Sequence, residues 1–84
     1  MAAVTEDEAA QAESSRLKDL GNAAIKNCKY GDAIDFYTEA IDAFPTAVLY
    51  SNRSLANLRT ESFGLATLDA EAAVELDPSQ CFLC

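Results

Sequence analysis

The sequence predicts an all-α protein: two helix–turn–helix repeats in an α-solenoid, followed by a truncated third repeat. Half of its 84 residues are hydrophobic, which suits short, closely packed helices and excludes a disordered chain. A shift of 33 positions aligns the chain with itself, and a proline ends each unit. Proline lacks the N–H that continues a helix, so each repeat should stop there. Between residues 14–45 and 47–78, the identical pairs are Ala23 with Ala56, Gly31 with Gly64, Ala33 with Ala66, Ala40 with Ala73, and Pro45 with Pro78.

The first helix is expected to begin within an acidic leader, residues 1–13, that is partly helical or disordered. Thr5 and Glu8 have the spacing of a capping box, in which two side chains satisfy free backbone N–H groups at a helix start. Apolar residues then recur at helical spacing, which places them on one face. These residues are Leu17, Leu20, Ala24 and Ile25.

Residues 14–46 form the first predicted repeat. Its turn is predicted at Lys29–Asp32, and its second helix runs from Asp32 to Phe44, where Pro45 stops it. The side chains expected to face inward are Ala33, Ile34, Tyr37, Ala40 and Ile41.

Residues 47–78 form the second predicted repeat, and residues 79–84 begin the truncated third. Thr46 should cap the third helix, Ala47–Arg59, and the fourth is predicted at Phe63–Leu76. The side chains expected inward are Tyr50, Leu55, Leu58, Leu65, Ala66, Leu68, Ala73 and Leu76. Because repeat arrays need about three units for a continuous core, an open apolar face around Leu65, Leu68 and Leu76 is also expected. That face favours a homodimer.

The order of small, aromatic and proline positions resembles the tetratricopeptide repeat (TPR) family from Ser14 to Pro78. The family repeat has about 34 residues, so the 33-residue spacing implies a one-residue deletion near Pro45. The resemblance implies a module that binds other proteins and is not an enzyme. The positions are Gly21, Ala33, Tyr37, Ala40 and Pro45 in the first repeat, and Tyr50, Ala66, Ala73 and Pro78 in the second.

Two segments, residues 34–41 and 52–61, are similar to the N-terminal TPR domains of serine/threonine protein phosphatases of the phosphatase 5 type and of related co-chaperones. This resemblance implies an adaptor that binds the acidic C-terminal tails of heat-shock proteins 90 or 70. A second interpretation stays open, in which the chain is a truncated or splice-variant regulatory segment of such a phosphatase, without its catalytic domain.

The resemblance also implies a clamp for the C-terminal carboxylate of a bound tail. Carboxylates require cations and neutral donors aimed at one point. Lys18 and Asn22 match the family's lysine and asparagine on the first helix, where residues four apart share a face. Asn52 matches the second asparagine. The second lysine of the clamp falls on Phe82, and its arginine falls after the last residue, so we expect weak binding.

No catalytic residue, cofactor or metal site is predicted. The chain has no histidine and no glycine-rich phosphate loop, and Cys28 has no partner base to activate its thiol. The last four residues have the spacing of a prenylation box with Cys81 as acceptor. Its final position is atypical and no polybasic stretch precedes it, so we expect Cys81 to be unmodified.

The charge of the chain bounds its partners. The net charge is −8, from 14 acidic and 6 basic residues, and this surface repels nucleic acid and anionic lipid. No apolar run approaches the roughly 20 residues of a membrane-spanning helix, and no secretory signal is recognisable. We therefore expect a protein partner and a cytoplasmic location, with the nucleus also open.

Overall fold

The computed structural model describes residues 6–78, with burial described from residue 7 onward. Each of its helices packs against the next along the chain, which gives two antiparallel helix pairs. The predicted all-α architecture is confirmed. The helices are α1 (Glu6–Lys26), α2 (Tyr30–Ala43), α3 (Ala47–Arg59) and α4 (Phe63–Leu76).

The first turn differs from the predicted one. α2 begins at Tyr30, two residues before the expected Asp32. The backbone of Cys28 is left-handed, with φ of 59°. This conformation lets the Lys29 N–H reach the Ala24 carbonyl at 2.9 Å and the Cys28 N–H reach the Ile25 carbonyl at 3.0 Å. These bonds close the free end of α1, so the turn is shorter than predicted.

The predicted cap of α3 is confirmed. Thr46 has an extended backbone, and its side chain accepts a hydrogen bond from the Leu49 N–H at 3.3 Å. This bond satisfies one of the N–H groups that have no partner within the helix. Thr5, which belongs to the capping box predicted for α1, lies outside the described residues. α1 continues from Glu6 into the first repeat without a break.

The core lies where α2 is covered by both α1 and α3. Tyr37 is its largest member, with 1% of its surface exposed. A Cβ atom at Gly21 would lie 2.6 Å from Cε1 of the Tyr37 ring, so a residue without a side chain lets the ring lie against α1. The buried cluster comprises Leu17, Ala24, Ala33, Tyr37, Ala40, Ile41, Leu49 and Ala56.

Several leucines predicted to face inward are exposed. The buried sides of α3 and α4 consist mainly of small and polar residues, such as Ser54, Ala66 and Asp69. Because α4 contacts mainly α3, its remaining apolar residues have no helix to cover them. The inward assignments that were wrong are Leu55, Leu58, Leu65, Leu68 and Leu76. The open apolar face expected around Leu65, Leu68 and Leu76 is present.

Candidate functional site

Asn22 and Asn52 are brought together although 30 positions separate them. The Asn52 Nδ2 group donates a hydrogen bond to Asn22 Oδ1 at 3.4 Å. Asn22 lies on α1 and Asn52 on α3, which are the first helices of the two pairs. We call the surface between these two helices the α1–α3 groove.

Tyr37 fixes the orientation of the Asn22 amide. Its hydroxyl donates to Asn22 Oδ1 at 2.5 Å, so this oxygen accepts from both Tyr37 and Asn52. A tyrosine hydroxyl is protonated at neutral pH, and burial raises the pKa of Tyr37 further, so this group remains a donor. The Nδ2 group of Asn22 must then point to the other side of the amide, and it has no hydrogen-bond partner between residues 6 and 78.

From the sequence we predicted that Tyr37 lies in the core, but not that its hydroxyl supports Asn22 in the groove. A buried tyrosine usually places its hydroxyl on a partner, and Asn22 provides one here. The signal for this contact is Gly21, which stands next to Asn22 and leaves room for the ring. A glycine beside a predicted site residue was therefore the clue to a supporting aromatic residue.

Lys18 lies one turn before Asn22 on α1 and is half-buried. It lines a hollow of about 320 Å³ together with Phe44 and Leu49. Ser14 of α1 holds Phe44 at one wall of this hollow, because its hydroxyl donates a hydrogen bond to the Phe44 carbonyl at 3.0 Å. Lys18 forms no ion pair within the described part of the chain. Lys18 and Asn22 thus lie on α1, and Asn52 contacts Asn22 from α3.

A second polar cluster joins α2, α3 and α4. Arg53 donates twice to Asp69, from Nε to Oδ2 at 2.9 Å and from Nη2 to Oδ1 at 2.7 Å. Asn57 Nδ2 also donates to Asp69 Oδ2, at 2.8 Å. The remaining arm of Arg53 donates to Thr38 Oγ1 at 3.1 Å. The hydrogen bond to Asp69 is the main cause that raises the pKa of Arg53.

This cluster was not predicted, because the 16 positions between Arg53 and Asp69 carry no sequence pattern. Asp69 is only 5% exposed, and its carboxylate is fully engaged by Arg53 and Asn57. The guanidinium of Arg53 is therefore used inside the fold. Lys18, four positions before Asn22 on α1 and without an ion pair among residues 6–78, remains available to a bound carboxylate.

No other chemistry is assembled in the described chain. Residues 6–78 contain no cluster of three metal-ligating side chains, and no helix there is both long and apolar enough to cross a membrane. Cys28 is an exposed free thiol. Cys81, the prenylation candidate, and Phe82, the position of the second clamp lysine, lie outside the described residues.

Curated proteins similar to this chain share its repeats. It is 48% identical over 67 residues to serine/threonine-protein phosphatase T of Trypanosoma brucei brucei, covering 80% of this chain and 14% of that protein. It is 48% identical over 65 residues to human serine/threonine-protein phosphatase 5, covering 76% and 13%. For the small glutamine-rich tetratricopeptide repeat-containing protein 2 of Saccharomyces cerevisiae the identity is 42% over 78 residues, covering 90% and 22%. The chain thus spans under a quarter of each relative's length, and no protein-family model matches it.

Proposed function

This chain belongs to the tetratricopeptide repeat family and is a protein-interaction module, and on that premise we propose that its α1–α3 groove binds the acidic C-terminal tail of heat-shock protein 90 or 70. We also propose that it has no catalytic activity of its own. The observation that carries the proposal is the orientation of the Asn22 amide. Two hydrogen bonds occupy its oxygen, and the residue is exposed. Its Nδ2 group, which has no partner among residues 6–78, is therefore available to a peptide carboxylate.

The donors in the groove suit one carboxylate group. Asn22 offers both of its amide hydrogens, and Asn52 offers the one that Asn22 does not use. The Lys18 ammonium, one turn away, supplies the positive charge. A hydrogen bond to a charged group contributes about 1.5–3 kcal/mol. Asn22, Asn52 and Lys18 together favour a chain end, because a terminal carboxylate has two oxygens that can accept their hydrogen bonds. An internal peptide bond offers only one carbonyl oxygen.

Binding should be weak, for two reasons of charge. Lys18 is a single cation, whereas an acidic tail brings several carboxylates. The net charge of −8 also repels an acidic peptide at long range. We expect a dissociation constant above about 10 μM, equivalent to less than about 7 kcal/mol of binding free energy.

The test is calorimetric titration with the C-terminal tail peptide of heat-shock protein 90. The peptide with a free carboxylate should bind, and the same peptide ending in an amide should bind at least about tenfold more weakly, a difference of about 1.4 kcal/mol. Asn22→Ala should weaken binding to a similar degree. The matched control is Asn27→Ala, at an exposed asparagine in the turn after α1, which should leave binding unchanged. Equal binding of the acid and amide peptides would refute a carboxylate site.

A second candidate is a regulatory segment of a serine/threonine protein phosphatase. It is favoured by the 48% identity to segments of two such phosphatases. A transcript map separates the two candidates. An exon for a catalytic domain, spliced downstream of this segment, would support the phosphatase candidate, and a transcript that lacks one would support a separate adaptor.

A further inference from the structure

The exposed apolar residues of α4 lie on two different sides of the helix, and the internal repeat tells these sides apart. On one side, Ala70 and Val74 line a hollow of about 670 Å³ together with Leu58 of α3. Thirty-three positions earlier stand Tyr37, Ile41 and Ile25, which belong to the core or pack against it. This side of α4 is therefore the one on which a following repeat would stack.

The other side is an apolar stripe, here called the outer stripe, made of Leu65, Leu68, Ala72 and Leu76. Residues spaced by three and four positions share one helix face. The three leucines are 57%, 61% and 52% exposed. Four apolar residues on one exposed face form the kind of patch that marks an interaction site.

Stacking of a further repeat would not cover the outer stripe. Its counterparts on α2, 33 positions earlier, include Asp32, Asp35 and Glu39. All three are exposed although α2 is packed between α1 and α3. Leu65 and Leu68 of the second repeat thus stand where the first repeat has aspartates, on a face that stacking leaves in water, whereas Leu76 aligns with Ala43.

The surroundings of the outer stripe are acidic. No lysine or arginine follows Arg59 in the sequence. Glu71 and Glu75 of α4 are exposed, and they line the hollow on the stacking side, three positions after Leu68 and Ala72 of the stripe. Thr38 of α2 borders both the hollow that contains Leu65 and the hollow lined by Asp35 and Glu39. The acidic face of α2 and the outer stripe therefore meet at Thr38. Arg53 also lines the hollow that contains Leu65, but its charge is paired with Asp69.

This charge decides between occupants. A second copy of the chain would bring the same net charge of −8, and like charges around a small apolar contact oppose association. A partner with lysine or arginine on both sides of an apolar stripe would gain from the same acids. We propose that the outer stripe of α4 is a docking surface for a basic amphipathic helix of a partner protein, separate from the α1–α3 groove.

The test uses fluorescence anisotropy with a labelled synthetic helix of leucine and lysine, about five turns long, with one apolar face. Leu68→Asp gives the stripe the residue that the first repeat has at the aligned Asp35. It should weaken binding at least tenfold, and the neutral Leu68→Ser should also weaken it. Val48→Asp is the matched control, because Val48 is an exposed apolar residue of α3, 40% accessible, and the substitution adds the same charge.

The two aspartate variants separate docking from charge attraction alone. If the peptide were attracted only by net negative charge, both variants would bind it slightly more tightly than the native chain. If the peptide docks on the stripe, Leu68→Asp should bind it more weakly than the native chain, whereas Val48→Asp should not. Binding by the native chain should also weaken at higher salt. Leu68→Asp should bind the acidic tail peptide with the same affinity as the native chain. A failure of the outer stripe is thereby distinguished from a failure of the α1–α3 groove.

Two results would overturn the proposal. One is equal binding of the basic helix by the native chain and Leu68→Asp. The other is a native dimer in sedimentation that Leu68→Asp dissociates while the basic helix fails to bind, which would make a second copy the occupant. Circular dichroism of each variant confirms that the helices remain folded in these measurements.

Discussion

The two helix pairs align residue for residue at a spacing of 33, but different chemistry joins them. In the α1–α2 pair the ring of Tyr37 lies on Gly21. At the aligned positions the α3–α4 pair has Ala70 and Ser54, and the Ser54 hydroxyl donates to the Ala66 carbonyl at 2.8 Å. Burial of a large side chain holds the first pair, and hydrogen bonds carry more of the second.

The ion pair of the second repeat extends this contrast. Arg53 and Asp69 align with Leu20 and Phe36 of the first repeat. α2 is covered by two helices, so apolar residues there are shielded from water, whereas α4 has one main neighbour. Directional bonds keep their geometry on a partly wet surface, where apolar contact alone gives little. We infer that the polar junction of Arg53, Asn57 and Asp69 holds the less covered helix pair in alignment.

The strongest way to break the comparison is Tyr37→Ala. Removing a buried aromatic side chain costs about 3–5 kcal/mol, which approaches the whole stability of a domain this small. We expect helix content to be lost at 25 °C, as measured by circular dichroism. Leu58→Ala is the control, because Leu58 is an exposed apolar residue of the second repeat and its loss should cost under about 1 kcal/mol. Equal costs for the two variants would contradict an apolar first pair.

The second test removes the carboxylate of the polar junction. Asp69→Leu leaves Arg53 and Asn57 without their acceptor and should cost about 1–3 kcal/mol. The loss is smaller than for a fully buried pair because the Arg53 side chain is 21% exposed. Urea denaturation measures the loss, and Asp35→Leu, at an exposed aspartate of α2, is the control.

The double variant Arg53→Leu with Asp69→Leu sharpens the same comparison, because it makes the junction apolar like the aligned positions of the first repeat. It should be more stable than Asp69→Leu alone, since no cation is then left without its partner. A double variant that is less stable than Asp69→Leu would show that Arg53 contributes through its other contacts, with Thr38 and the Tyr50 ring.

The third test concerns the hydroxyl that links the first repeat to the groove. Tyr37→Phe keeps the ring and should cost about 1 kcal/mol of stability. It also frees the Asn22 amide to rotate, so binding of the acidic tail peptide should weaken by less than about tenfold. Unchanged tail binding would mean that the orientation of Asn22 does not matter to the groove.

The same hydroxyl predicts a pH dependence. Burial raises the pKa of Tyr37, so ionisation is harder in the folded chain than in the unfolded one. Its contribution to stability is fully present below the ordinary tyrosine pKa, about 10, and is lost as pH rises through the folded value. Urea midpoints measured between about pH 8 and 11 should fall less for Tyr37→Phe than for the native chain.

Local signals made much of this fold predictable. The bounds of α3 and α4 agree with the prediction, because Thr46 and the two prolines act on their immediate neighbours. The start of α2 was missed because nothing in the sequence marks a left-handed cysteine. The exposed leucines of α4 were assigned inward because periodicity identifies a helix face but not whether another helix covers it.

The candidate site, like the fold, was only partly predictable from the sequence. Asn22 and Asn52 were chosen from the resemblance, and the structure places them in contact. Tyr37 was missed as their support, because its contact with Asn22 spans 15 positions and depends on how α1 and α2 cross. The junction of Arg53 and Asp69 is also a tertiary feature. Such contacts depend on packing angles, which a single sequence indicates only indirectly, as Gly21 does for Tyr37.

The smallest effect is expected where the two repeats agree. Glu61 has a left-handed backbone like Cys28, with φ of 62°, and the two residues stand 33 positions apart. The Ser62 N–H reaches the Asn57 carbonyl at 2.8 Å, which repeats the bond made by Lys29 at the end of α1. Residues other than glycine adopt a left-handed backbone at a cost of about 1 kcal/mol.

Cys28→Gly and Glu61→Gly should therefore each stabilise the chain by about 0.5–1 kcal/mol. Glycine also gives the unfolded chain more conformational entropy, which reduces this gain. Thermal unfolding measures the gain, and Cys28→Ala and Glu61→Ala serve as controls that keep a Cβ atom and should give none. The two glycine variants should agree with each other, because the strain is local to each turn and does not depend on how the pair is joined. A gain at one turn only would show that the difference between the apolar and the polar pair extends to the turns.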